Sequence, residues 1–398
     1  MRLKASAQSA MLAVYCSGLM CGAFVGKVPP ALPLIRADLD LTLLETSFIA
    51  TMMNVLGALM GIATGALSDR YGHKRLALIG LALLFAGGLF GALAPHYAAL
   101  LLSRFMEGMG FIIVTVSGVA LMAATQNAVI RQRGLALWST YMPAGACAAL
   151  ILAPLLTPLI GWRGLWWLHA IFAGLVFVAL WATVHSTPGT VQRSWWRFTR
   201  ESLSQPASIA LSVAFLFYTA QWAAVMVWLP TFAVEHGASA SLAAWFTAGM
   251  VGINVPGNLI GAQFLQRGWS RGTLVMLGSI GQGAAAAFIF LDLAPDAGRY
   301  VACLAFSLIG GFVPCAILSG VPQHARSAAH VGTTNGMIMQ ASQLGQFFAP
   351  ILIAWLVTHF GTWSAGFAAM LALACAAATA GTVLHHFEQR AKSAITSS

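Results

Sequence analysis

The sequence is short of charge. Asp, Glu, Lys and Arg make up 8% of its 398 residues, where a soluble domain carries roughly 25% to keep its outside solvated. With 59% hydrophobic residues and a mean hydropathy of +0.82, the chain has no polar coat for a water-facing surface. A soluble protein of two or three domains is therefore excluded, and the outside must face lipid. Metal-ligand spacing is also missing: Cys16, Cys21, Cys147, Cys303, Cys315 and Cys375 fall inside apolar stretches and read as small buried hydrophobes. No nucleotide-binding P-loop occurs, and no nucleophile–base set or His/Cys/Asp cluster suggests an intramembrane enzyme. A basic start (Arg2, Lys4) followed by an apolar run raises a signal peptide, but the run continues past Pro33 without an A-x-A-like site. We therefore expect it to be a membrane span. The net charge of +10 comes as short basic runs between apolar stretches, which is a pattern of membrane topology rather than of a nucleic-acid face.

What the sequence does have is long apolar runs. A bilayer core of ~30 Å needs ~20 mostly apolar residues per helix. Windows of that size predict helices near 11–35, 44–67, 75–94, 97–123, 134–158 and 163–184. A second set follows near 207–233, 239–264, 272–292, 299–320, 334–358 and 363–386. Connections such as Pro95-His96 and Gly161-Trp162 are short enough to make neighbouring helices antiparallel. The basic residues test the count. With both ends cytoplasmic, every Lys and Arg falls on the inner side except Arg36, Arg163 and Arg299 outside, and Lys27 and Arg104 within helices. Cytoplasmic loops collect Lys and Arg, and a miscount by one helix would scramble that bias. The longest hydrophilic stretch, 185–206, divides the chain into a first half (1–184) and a second half (207–398). Trp195, Trp196 and Phe198 among Arg193, Arg197 and Arg200 suggest either a short helix at the inner membrane surface or a basic linker without structure.

Between the second and third predicted helices stands Gly65-Ala-Leu67-Ser-Asp69-Arg70-Tyr-Gly72-His-Lys74-Arg75. This run resembles the G-x-L-x-D-R-x-G-[RK]-[RK] signature of the major facilitator superfamily, in the corresponding loop. The resemblance covers the whole chain. It implies an all-α integral membrane protein, with twelve transmembrane helices arranged as two six-helix bundles, acting as a secondary transporter. In the family the loop latches the two halves in the outward-facing state, which makes Gly65, Asp69, Arg70, Gly72, Lys74 and Arg75 a candidate gating motif. Asp69 is placed to offer its carboxylate to a helix N-terminus. The matching stretch of the second half, Gly261 to Arg271, keeps glycines and arginines but has Gln266 where the Asp would stand, a faint internal repeat. Arg104-Phe-Met-Glu107-Gly108-Met-Gly110 resembles the family's R-x-x-x-G-x-G pattern. Pro143, Gly145, Pro154 and Pro158 only loosely resemble the motif of drug/proton antiporters. Lys27-Val-Pro29-Pro30 through Pro33, Arg36 and Asp38 is similar to the cyanate/nitroimidazole permease branch.

An ionisable residue at a helix centre costs at least ~2.5–3.5 kcal/mol on insertion scales, so each needs a reason. Lys27 and Arg104 lie at similar depth, with Glu107 one turn deeper and, at i+3 from Arg104, on the same face. Arg104 and Glu107 form either an internal ion pair or a substrate and proton site. Lys27 either snorkels to the outer interface or joins them. The family's first and fourth helices line the transport cavity, which implies that all three face water and substrate. Their sum of +1 favours an anionic solute, with Glu107 as the proton-coupling group. The second half shows no buried charge at this stage and offers amides and aromatics: Tyr218, Gln221, Trp222, Asn254, Asn258, Gln282 and Asn335. Gln340, Gln343 and Gln346 follow as one stripe. Each of these is either a helix–helix hydrogen bond or a solute contact. The candidate substrate contacts are Lys27, Arg104, Tyr141, Gln221, Trp222, Asn254, Asn258, Gln340 and Gln343. His169 and His359 read as interfacial. The expectation is a monomer in the inner membrane that uses no cofactor and moves a small, anionic solute together with protons. Import is the first choice, and export of drugs or metabolites the alternative.

The basic asymmetry generates a test. Reporter fusions after Gln192 and after Ser398 should signal from the cytoplasm, and one near Pro295 from the opposite side. A reversed signal at either of the first two sites would overturn the twelve-helix count.

Overall fold

A computed structural model describes residues 2–185, 195–291 and 293–396, and all their regular structure is helical. Ten of the helices among the described residues are long and apolar enough to cross a membrane. In order, the chain forms α1 (Arg2–Gly26), α2 (Val28–Asp38), α3 (Leu43–Tyr71), α4 (His73–Ala92), α5 (Tyr97–Ala123), α6 (Ala128–Trp138) and α7 (Tyr141–Thr183). The short α8 (Trp195–Leu203) is followed by α9 (Pro206–Glu235), α10 (Ala240–Gln266), α11 (Arg271–Phe290), α12 (Asp296–Gly310) and α13 (Phe312–His324). After a 3₁₀ turn at Ala328–His330 come α14 (Val331–Phe360) and α15 (Ala365–Thr396). α7 is two spans in series, because Gly161 takes φ +66° and breaks it. That split, together with the 27-residue α10, brings the ten to the twelve of the sequence. A helix does form from Trp195 to Leu203. Arg193 and the rest of 186–194 lie outside the described residues, as do the side chains of Trp195, Trp196, Arg197 and Phe198.

Three predicted spans prove to be interrupted, each for a local chemical reason. The first was expected to run unbroken over 11–35, yet it divides into α1 and α2 at Lys27. Pro29 and Pro30 have no N–H to return to the carbonyls of Val25 and Gly26, so the ladder stops one turn before them. The fifth span divides between α6 and α7, just before Pro143. There Ser139 and Thr140 turn their hydroxyls onto the carbonyls of Ala136 and Leu137, at 2.7 Å each. The tenth divides at Gly311, three residues before Pro314.

By contacts the chain forms two compact units. The first comprises Met1–Ser202 with Arg326–Gln340, and the second Leu203–Ala325 with Ala341–Ser398. In the first unit, α1 lies on α7 through glycines spaced by four. A Cβ at Gly22 would stand 2.7 Å from the Met142 carbonyl, and one at Gly26 would stand 2.4 Å from that of Ala146. Opposite them, a Cβ at Gly145 would meet the Leu19 carbonyl at 2.1 Å. In lipid there is no hydrophobic drive between helices, so such backbone approach supplies the contact energy. Gly61 and Gly65 of α3 interleave in the same way with Gly336 and Gly332.

These approaches predict a graded cost. Gly145→Ala forces a methyl into backbone and should lower stability in detergent by about 1–3 kcal/mol. Gly249→Ala, whose Cβ finds nothing nearer than 3.9 Å, should be neutral or stabilise by up to ~1 kcal/mol. Equal melting temperatures for the two variants would count against close packing of α1 on α7.

Candidate functional site

The break at Lys27 turns its side chain inward. Nζ lies 2.8 Å from Oε1 of Glu107, and Arg104 binds the other oxygen of the same carboxylate. Lys27 and Glu107 are 0% exposed, which removes the snorkelling alternative and shows the three charges sealed within the first unit rather than facing water. Arg104 also donates to the carbonyl of Ile49 at 3.2 Å and to that of Phe24 at 3.5 Å, thereby tying α5 to α3 and α1. The ammonium rests on two aromatic faces, 4.0 Å from the centroid of Phe24 and 4.3 Å from that of Trp166. Such faces attract a cation most strongly where water is absent. Space for Glu107 comes from Gly87 of α4, where a Cβ would press on its Cγ at 3.0 Å. One carboxylate thus serves two cations, and the cluster keeps a net positive charge. Removing the carboxylate would leave two buried cations uncompensated, a loss worth roughly 3–5 kcal/mol.

The signature run does several distinct jobs. Gly65 admits the backbone at Gly332. Asp69 is buried and accepts from the backbone N–H of Gly332 at 2.8 Å, from that of Thr333 at 2.6 Å, and from the Thr333 hydroxyl. Its carboxylate therefore does cap a helix N-terminus, that of α14, within the first unit. Gly72 takes φ +92° in the turn to α4, a conformation that favours glycine. Lys74 reaches the carbonyl of Trp181 at 2.8 Å, Arg70 lies over Tyr71 at 5.2 Å, and Arg75 is exposed. The matching turn of the second unit keeps the glycine conformation, Gly268 at φ +91°. The helix that follows, α11, is capped by Ser270, which accepts the Thr273 N–H at 3.1 Å, and Glu388 of α15 accepts the Arg271 N–H at 2.9 Å and binds its guanidinium at 3.0 Å.

Within the first unit, Tyr141 does not adjoin Lys27. Tyr141 packs against Trp138 and at Gly18, nine residues before Lys27, or about 13 Å along the helix axis. Gln340 lies in the first unit and accepts from the Ile62 N–H at 3.0 Å, whereas Gln343 accepts from Gln346 at 2.9 Å. The expected glutamine stripe therefore divides within α14. Asn335 donates to the carbonyls of Thr115 and Val116. In the second unit the amides largely satisfy one another. Asn254 donates to the Ser307 carbonyl at 2.7 Å and to the Tyr218 hydroxyl at 3.4 Å; Trp222 donates to the Ser307 hydroxyl at 3.3 Å, and Asn258 to Asn254 at 2.8 Å. Gln221 keeps an unpartnered Oε1, and Gln282 lies buried against Gly310 with neither amide atom bonded.

Two expectations are corrected here. The second half does hold buried charge: Arg299 is 7% exposed beside Phe232, and Glu388 is buried too. Arg299 opens the predicted 299–320 window and Glu388 lies just past the 363–386 window, so neither stood out as a charge inside a span. His169 is not interfacial but is buried with its edge toward Phe24, while His359 is exposed and stacked on Trp355. Sequence reasoning missed Phe24, Trp166 and His169. The available signal was their spacing, with Phe24 three residues before Lys27, and Trp166 and His169 at i and i+3.

With this geometry in view, the comparisons are specific. The sequence profile of the Major Facilitator Superfamily matches residues 14–350. The chain belongs to that superfamily. Its helices superpose on the human organic anion transporter MFSD10 (TETRAN) with a TM-score of 0.79 at 15% identity, covering 95% of this chain and 99% of that one. Against the proton:xylose symporter XylE the TM-score is 0.78 at 16% identity, covering 96% of each chain. These likenesses show the fold. In sequence, a putative metabolite transport protein of Haemophilus influenzae is 31% identical over 50% of this chain and 52% of its own length. The nitrite extrusion protein of Bacillus subtilis is 22% identical over 86% of this chain and 85% of its own length. The first curated relatives are thus matched over about half of their length or less.

The Asp69 cap carries its own prediction. Asp69→Ala removes the acceptors for Gly332 and Thr333 and should cost about 1–3 kcal/mol, with Thr333 becoming open to thiol labelling once replaced by Cys. Unchanged labelling and melting would mean that the cap does not hold residues 331–340 in place.

Proposed function

We propose that this superfamily member is a secondary active transporter that moves a small anion together with protons across the inner membrane by alternating access. The observation that carries the reading is the buried set of two cations sharing one carboxylate. An anion arriving at Lys27 and Arg104 competes with Glu107 for the same donors. The displaced carboxylate, left in a low-dielectric site without its partners, is then best stabilised by taking up a proton. Anion binding and proton uptake thereby become one event, with Glu107 returning to the cations when both leave. Import is the direction this coupling serves under an inward proton gradient. Lys and Arg placement supports cytoplasmic termini, and the likeness of 27–38 to cyanate and nitroimidazole permeases is in keeping with a small solute. A second reading is export of the same class of anion. The similarity to the nitrite extrusion protein favours it.

Proteoliposomes with an imposed pH gradient, loaded with the anion that best raises the melting temperature in a broad panel, test both readings. Accumulation on the acid-to-alkaline gradient supports import, and loss against it supports export. Glu107→Gln should abolish gradient-driven accumulation but spare counterflow; undiminished accumulation would leave Glu107 a structural partner only. Lys27→Ala removes a charged contact worth roughly 1.5–3 kcal/mol, so binding should weaken ~10- to 150-fold. Lys27→Arg should recover part of this. Wild-type binding by Lys27→Ala would sink the anion reading and shift attention to a neutral solute at the amides of the second unit.

A further inference from the structure

The charge cluster around Lys27 adjoins a polar group that its charges leave unused. His169, in the second segment of α7, is 8% exposed and meets Phe24 edge-on, with ring centroids 5.6 Å apart at 85°. Phe24 is the ring whose face carries the Lys27 ammonium. Trp166, one turn before His169, carries the same ammonium on its own face. His169 and Lys27 are therefore neighbours across one aromatic side chain. The imidazole has a fixed orientation: Nδ1 lies 2.7 Å from the Leu165 carbonyl. A carbonyl only accepts, so Nδ1 is the nitrogen that donates. In the neutral ring Nε2 is then a bare lone pair, and among the described residues His169 makes no second hydrogen bond. The carboxylate nearest in the cluster, Glu107, has both oxygens engaged by Lys27 and Arg104.

The packing of α7 does not call for an imidazole at this position. Ala170, the next residue, makes the close approach to Gly88 of α4. The break at Lys27 adds acceptors of the same kind, since Pro29 and Pro30 leave the carbonyls of Val25 and Gly26 without helical donors. Cations for a negative group and an unfilled acceptor thus border one aromatic side chain, that of Phe24. We infer that the solute carries a hydrogen-bond donor besides its anionic group. It is a hydroxylated carboxylate, with the carboxylate on Lys27 and Arg104 and the hydroxyl donating to Nε2 of His169. This rests on the anion reading above and narrows it, because a bare inorganic anion such as nitrite has no donor to offer.

The test uses the whole protein in lipid nanodiscs and acid pairs that differ by one hydroxyl: glycolate against acetate, and lactate against propionate. Affinities are read from the concentration dependence of the melting temperature. The wild type should bind the hydroxylated member at least about tenfold more tightly, as a site built around a hydroxyl rejects the analogue lacking it. His169→Phe should bring the hydroxy acid down to the affinity of its deoxy partner. His169→Gln, which keeps an acceptor, should recover part of the preference. Equal binding of the pair by the wild type overturns the inference without need of any variant, and so does a preference that survives His169→Phe. If acetate and propionate bind in a Lys27-dependent way with no hydroxyl preference, this inference alone falls. If neither member of either pair binds, or if binding ignores Lys27→Ala, the anion reading falls and takes the inference with it.

Discussion

In the core of a bilayer nothing but the protein itself can satisfy a polar atom. Most of what is distinctive in this chain follows from that constraint. The backbone obeys it in that all regular structure among the described residues is helical. The charges obey it by clustering: Lys27 and Arg104 share Glu107, and Arg104 spends further donors on the carbonyls of Ile49 and Phe24. Asp69 obeys it by taking the free N–H groups at the start of α14. Each solution is local, yet each ties together elements far apart in sequence.

Where the constraint is only partly met, the departures gather around a few prolines. Pro29 and Pro30 open the first span beside Lys27, Pro143 follows the opening of the fifth, and Pro314 follows that of the tenth. Interrupted helices leave carbonyls free in a place where they must find a partner, and in transporters such places hold solutes and ions. The first unit pairs its interruption with two cations. The second pairs its own with Gln282, a buried amide against Gly310 with no bonded atom.

The two halves share the geometry of one turn but spend their carboxylates on different helices. Gly72 and Gly268 take nearly the same positive φ in corresponding turns, +92° and +91°. The carboxylates go to different places: Asp69 caps the start of α14, whereas Glu388 binds the start of α11, the helix that follows the Gly268 turn.

The sequence alone settled the family and the twelve spans. Apolar runs of spanning length and the Gly65–Arg75 signature are local in the chain, and lipid leaves a run of that kind no choice but to become a helix. It also pointed to Lys27, Arg104 and Glu107, because a charge in such a run is costly enough to stand out. It did not show which way Lys27 points, that Glu107 serves both cations, or that Gln340 and Gln343 part company. Nor did it show that His169 shares an aromatic ring with Lys27. Those outcomes depend on contacts among α1, α5 and α7, and for Gln340 between α3 and α14, where glycines let backbones approach within a methyl's width. Helical periodicity places a residue on a face of its own helix, but which neighbour that face meets is decided only when the helices pack.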